Sequence, residues 1–324
     1  MKEHTESSSK EDPKDKLEYN KSTSRRQFLQ LASVTGAFTI GSGKFIKTVE
    51  GKEKEVYIPD GRKVPASQIT AKENAGVGVR PEEVERKIPE NSENVHSTGD
   101  NTPATNVHKW LAYTRDEFLN GNYSQMQVDF TVPETPLAWE GTNYPNMFYF
   151  PAFQNCDNFC YGGRQIIIQP VLQWNWESFN TGNGYPQEWS IAAWWADNQG
   201  NMVHGELIDA SVGDSLWGYM DYQYDGQWYI EIYNNDTGEY SDLYTPDFSS
   251  YTWDHSYMTL EAAGYDEGDC QQIPGNCIFE NIYLEDSNGN ATKAEWGTHS
   301  NNSCSVYAEE LSQSKIKINT PTRD

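Results

Sequence analysis

Between Asp116 and Thr292 the sequence holds a single cation, Arg164. Over all 324 residues, 24 Lys+Arg stand against 48 Asp+Glu, a formal net charge of -24. Nucleic acid and anionic membrane are therefore excluded as main partners, because both need a basic surface. Histidine is scarce too: His4, His96, His108, His204, His255 and His299 show no metal-ligand or triad spacing, so no metal and no cofactor is expected. No Ser sits in a G-x-S-x-G elbow, which argues against a serine hydrolase. The longest apolar run, between Phe28 and Gly43, is interrupted by Thr, Ser and Gly, so a polytopic membrane protein is excluded.

Tryptophan is missing from the first 109 residues, and all 11 lie from Trp110 onward. Charge divides at the same place, with 18 Lys+Arg against 17 Asp+Glu up to Lys109 and 6 against 31 after it. A near-neutral leader thus precedes an acidic, aromatic body. Residues 1–23 are polar without periodicity and are expected to be disordered, since they bury too little to offset ordering entropy. Ser24-Arg25-Arg26-Gln27-Phe28-Leu29 and the weakly apolar stretch behind it, 24–43 in all, resemble a twin-arginine export signal. That resemblance implies passage through the Tat machinery and a secreted protein, or one anchored by an uncleaved signal, since no A-x-A site follows. Residues 44–109 read either as a spacer or as a propeptide whose cations cover the acidic body. They offer one strand, Glu55 to Ile58, and one helical turn, Pro81 to Arg86.

From 110 to 310 short β-rich runs alternate with Gly, Asn, Asp and Pro clusters, and 311–324 reads as a tail. The runs are Gln125 to Val132, Asn146 to Phe153, Arg164 to Trp174, Trp189 to Ala196, Leu216 to Tyr224, Gln227 to Asn234, Tyr257 to Ala262 and Ile278 to Glu285. The pattern predicts an all-β fold, an antiparallel two-sheet sandwich, with a type I′ hairpin at Asp225-Gly226 and a second turn at Asp236-Thr237-Gly238. Spacing pairs Cys156 with Cys160 and Cys270 with Cys277 as loop staples and leaves Cys304 over, while a zinc site would need less irregular spacing.

Several runs, in order, resemble the glutamic peptidases (eqolisins). Tyr123 to Pro133 is similar to the family's opening strand, and Ile166-Ile167-Ile168-Gln169-Pro170-Val171 to the strand presenting its catalytic Gln. Ile191 to Trp195, Val212 to Leu216 and Trp228 to Gly238 follow the next motifs, and Ser256-Tyr257-Met258-Thr259-Leu260-Glu261 falls where the family ends a strand on its catalytic Glu. The resemblance implies a concanavalin-like jelly roll acting on a polypeptide substrate. In it Glu261 serves as general acid and base and Gln169 as the oxyanion-stabilising amide, with both side chains facing one groove of one sheet. The chain departs from the pattern at Pro170, where the family has a small residue nearby, and at Met258, which replaces a Trp. Gln173, four residues after Gln169, offers a competing amide on the same strand face. Trp174, Trp176 and Trp194, with Gln173, are the expected groove-lining residues, and alternation puts Trp174 and Trp176 on one face. A buried Glu-Gln hydrogen bond without chemistry is the other reading of the pair.

An alternative function is a non-catalytic carbohydrate-binding or cell-surface sandwich, suggested by 11 Trp and 20 Tyr. A glucanase would need paired carboxylates; Glu177 and Glu188 are present without the expected strand motif. The acidic body is compatible with high salt, which screens its self-repulsion, or with low pH, which discharges it.

Overall fold

The computed structural model describes residues 55–59, 63–84, 110–117, 122–137, 146–156, 165–176, 188–197, 199–263, 269–300 and 303–321. The expected twin-arginine motif, the Cys156/Cys160 pairing and the end of the Pro81 to Arg86 turn fall wholly or partly outside them. All eight body strands predicted from the sequence form, most displaced by one or two residues at an end; Trp189–Ala196 has the predicted bounds. Among the described residues there is no α-helix, only three short 3-10 turns.

The strands from Ile69 onward build two sheets, and Glu55–Tyr57 pairs with Lys63–Pro65 as a separate antiparallel ribbon. The first runs, edge to edge, through Gly297–Ser300, Trp110–Glu117, His255–Ala263, Asn146–Cys156, Gln165–Trp174, Trp189–Ala196, Met202–His204 and Ile69–Ala71, with Ile208–Ala210 also paired to Trp189–Ala196. The second runs through Tyr240–Tyr244, Trp228–Asn234, Ser215–Tyr222, Tyr123–Thr131, Cys277–Asp286, Lys315–Asn319 and Tyr307–Ser312. Between them lies the main core, to which one sheet contributes Ile168, Leu172, Trp189, Met258 and Leu260 and the other Met126, Val128, Trp228, Ile230 and Phe279. Alternation decides this, since every second side chain of a strand faces one way.

The two sheets pack closely over Gly218. A Cβ there would stand 2.9 Å from Pro170 Cγ and 3.4 Å from Pro151 Cγ, so any side chain would force its neighbours to shift. Pro170, which looked anomalous beside Gln169, points into this core contact.

Several expectations are corrected. The sandwich does not end at residue 310: Lys315–Asn319 lies inside the second sheet, between Cys277–Asp286 and Tyr307–Ser312. Nor are all strand pairs antiparallel, because Ile69–Ala71 from the leader joins Met202–His204 in parallel. The described leader residues, 55–59 and 63–84, belong to the same compact unit as the body. Cys270 bonds Cys304 across 34 residues of sequence, while Cys277 is a buried free thiol. Cys277 faces the inter-sheet core, where its Sγ lies 3.8 Å from the Thr131 carbonyl oxygen. The Asp225-Gly226 turn is a three-residue loop, with Gly226 N–H donating to Gln223 at 3.0 Å and only Gly226 left-handed (φ 86). Such a turn followed by a left-handed Gly matches the strand twist as a type I′ turn does.

Candidate functional site

The outer face of the first sheet carries the residues that the sequence singled out. On the strand Gln165–Trp174, Ile166, Ile168, Leu172 and Trp174 enter the inter-sheet core, leaving Ile167, Gln169, Val171 and Gln173 on the outer face. On His255–Ala263 the same alternation gives that face Tyr257, Glu261 and Ala263. Glu261, Gln169 and Gln173 are all fully buried, at 0–1% exposure.

The register decides which amide neighbours Glu261. Glu261 pairs with Phe148, and Phe148 pairs with Gln173, so the three form one cross-strand row. Gln169 lies in the row of Tyr257 and pairs with Trp194. With ~4.8 Å between strands and ~3.3 Å per residue, Glu261 and Gln173 are about 10 Å apart at Cα, and Glu261 and Gln169 roughly 16 Å. Glutamate and glutamine side chains can approach each other over the first span, not the second.

Two indoles fix this row. The Trp110–Glu117 strand shifts register between Leu260 and Glu261, so that Ala112 faces Leu260 but Trp110 faces Glu261. The extra residue, Leu111, joins Ala112 in the inter-sheet core while Trp110 turns outward, the re-aiming that a β-bulge produces. Trp110 Nε1 then donates to Glu261 Oε2 at 3.0 Å. Across the sheet, Trp194 Nε1 donates to Gln173 Oε1 at 3.1 Å. With its oxygen held, Gln173 presents Nε2 as a buried donor that has no hydrogen-bond partner among the described residues.

Leader residues lie over this face. Gln169 Nε2 donates to the Pro59 carbonyl, and Trp176 Nε1 donates to the Tyr57 carbonyl at 3.1 Å. Ile58, Val64 and Ile69 complete the apolar cluster with Phe148, Val171 and Trp194. A stretch of chain, Tyr57-Ile58-Pro59, thus offers its backbone carbonyls to the amide and indole donors of the sheet. His204 sits at the same edge, packed on Trp194 (4.8 Å between rings) and Trp176 (5.0 Å). Its Nδ1 donates to the Gly205 carbonyl at 2.6 Å, and burial pushes its pKa below the ordinary value, which keeps the ring neutral.

Trp176 and Trp194 lie on this face, but Trp174 does not. It is in the inter-sheet core, 5.4 Å from Trp189, and 3% exposed. Asn175 breaks the alternation: it takes a left-handed conformation (φ 58), so Trp174 and Trp176 point to opposite faces. Sequence reasoning missed Trp110 and His204. A bulge has no composition signal, and His204 belongs to a three-residue strand whose outer partner comes from the leader.

The structure is similar to solved structures of Scytalido-glutamic peptidase, one of them with a peptide-based transition-state analogue, at 13% identity and a TM-score of 0.45 over 65% of this chain and 98% of that chain. It is also similar to SCP-B, a member of the eqolisin family solved with the tripeptide Ala-Ile-His, at 13% identity and a TM-score of 0.43 with the same coverage. A likeness of that strength carries nothing about chemistry. The sequence matches no family model and no curated protein.

Proposed function

We propose that the chain is an exported peptidase of the glutamic type, with Glu261 and Gln173 as its working pair. One observation carries the reading: a buried carboxylate and a buried amide share a row of one sheet face, and the amide oxygen is held by Trp194 so that Nε2 remains available as a donor. Glu261 takes the proton of an attacking water, whose oxygen bonds to the scissile carbonyl carbon. Gln173 Nε2 donates to the carbonyl oxygen as it gains negative charge. Glu261 then returns the proton to the departing nitrogen, and the C–N bond breaks. An uncharged amide suits this place, because a second carboxylate would repel Glu261.

The leader supports a polypeptide as the class of substrate. Tyr57-Ile58-Pro59 engages Gln169 and Trp176 through main-chain carbonyls, the contacts any peptide can make, while Ile58 is buried among apolar side chains. Residues 44–109 are in this reading a propeptide rather than a spacer, and the described form is the covered one.

Cleavage of an unfolded protein tests the pair. Loss of a single oxyanion donor lowers kcat by about 10² to 10³; that loss is expected for Gln173→Ala and not for Gln169→Ala. The opposite ranking overturns the choice of Gln173.

A further inference from the structure

A second group of buried carboxyls lies on the outer face of the other sheet, remote from Glu261 in the strand order. Glu231 on Trp228–Asn234 pairs with Asp242 on Tyr240–Tyr244, and both are fully buried. The Tyr229 hydroxyl touches both: Glu231 Oε2, and Asp242 Oδ2 at 3.0 Å. The leader closes over them with its backbone. Val79 N–H donates to Glu231 Oε2 at 2.9 Å, Val77 N–H to Asp242 Oδ2 at 3.0 Å, and Gly76 and Gly78 N–H to Asp242 Oδ1 and Oδ2 at 3.3 and 3.4 Å. Asn74 anchors the segment by donating to the Tyr240 carbonyl (2.8 Å) and accepting from Asp242 N–H (3.0 Å). Gly78 is left-handed (φ 51), and a Cβ on it would stand 2.7 Å from the Tyr240 ring, so the loop is fitted to this place.

Proton counting constrains the cluster. A hydroxyl has one hydrogen, yet Tyr229 contacts two carboxyl oxygens at bonding distance. Both contacts are hydrogen bonds only if one carboxyl brings a proton of its own. Asp242 accepts three backbone N–H groups, so both of its oxygens are engaged as acceptors, and Glu231 Oε1 has no partner among the described residues. The consistent arrangement is a chain: protonated Glu231 donates to the Tyr229 oxygen, and Tyr229 donates to Asp242. Burial pushes the Glu231 carboxyl up to about 7, although hydrogen bonding with Tyr229 and Val79 acts in the lowering direction. Among the described residues the groups facing the cluster bring no compensating cation: Glu83 comes from the leader, and Tyr219, Tyr240 and Tyr244 from the neighbouring strands. Arg80, next to Val79, lies 4.0 Å from Glu82 instead.

We propose that Glu231, Tyr229 and Asp242 form a one-proton latch that holds leader residues 74–79 on the second sheet and lets them go as the pH rises through neutrality. The latched form binds a proton that the open form, with Glu231 in water, does not. Its extra stability is therefore full below the ordinary Glu value and is lost as the pH climbs to about 7. With the latch open, the covering segment that reaches Pro59 is tethered at fewer points. That consequence rests on the peptidase reading; the latch itself does not.

Hydrogen exchange of the full chain, read by mass spectrometry and corrected for intrinsic rates, tests this without any catalytic readout. Protection of the amides of Gly76 to Val79 should fall by about fifty-fold between pH 5 and pH 8, while that of Gln165–Trp174 stays level. In Glu231→Gln, whose carboxamide donates to Tyr229 at every pH, protection should stay high and flat. A flat profile in the wild type overturns the latch, and so does a Glu231→Gln profile as steep as the wild type's. Should that variant fail to fold, as loss of protection in Gln165–Trp174 would reveal, the wild-type profile decides alone.

Discussion

Glu261 and Gln173 are joined through one residue, Phe148, which pairs with each of them across a neighbouring strand. About 90 residues of sequence separate the two, and the sheet reduces this to two strand spacings. The row is polar at both ends and apolar in the middle, and an indole N–H holds each end.

Cys270 and Cys304 should behave as a unit. Closing a loop of 34 residues contributes about 4 kcal/mol of stability. Cys270→Ala and Cys304→Ala are therefore expected to lower Tm by nearly equal amounts, and non-reducing peptide mapping should link those two cysteines. Cys277, whose thiol is pushed up by complete burial, should resist alkylation until the chain is unfolded.

Gly218→Ala should destabilise by about 1–3 kcal/mol, because its Cβ would meet Pro170 and Pro151 where the two sheets pack. Denaturant unfolding checks this. The partial rescue expected from Pro170→Ala in the same chain identifies the contact responsible.

His204 sets an acid limit on the covered form. Its folded-state pKa is lowered by burial, so the unfolded state takes up its proton first and stability falls as the pH drops below about 6.5. Replacing it by Phe, which cannot be protonated, should flatten the fall in stability between pH 7 and pH 5. Thermal unfolding at the two pH values measures it.

Much of the architecture was legible because strands of this body obey a period of two. The run Gln165 to Trp174 alternates a core face with an outer face that carries Ile167, Gln169, Val171 and Gln173, but Gln169 and Glu261 were singled out only by the resemblance to the glutamic peptidases. The choice between those amides was not legible. It depends on the register against Phe148, which is a relation between three strands, and a shift of one pair would have moved Gln169 or Gln173 out of the outer face altogether. Trp174 was misplaced because a single left-handed residue, Asn175, reverses alternation, and Asn adopts that conformation only in some contexts. The disulfide was misread because sequence proximity of Cys270 and Cys277 says nothing about which way a strand turns Cys277. The leader's role was hidden for a similar reason: its bonds to Gln169, Trp176, Asp242 and Glu231 are made mostly by backbone groups, which every sequence has.

The most direct test of the account is proteolysis by a chain whose cover has been loosened. Ile58→Asp places a charge among Phe148, Val171 and Trp194 and should lift Tyr57 to Pro59 off the face. Cleavage of an unfolded protein substrate is then measured from acid to neutral pH, with and without molar salt. The account predicts that Ile58→Asp cleaves faster than the wild type, and that Ile58→Asp/Glu261→Gln and Ile58→Asp/Gln173→Ala lose that activity. Undiminished cleavage by the Glu261→Gln double variant, or no cleavage by Ile58→Asp under any of these conditions, would contradict it.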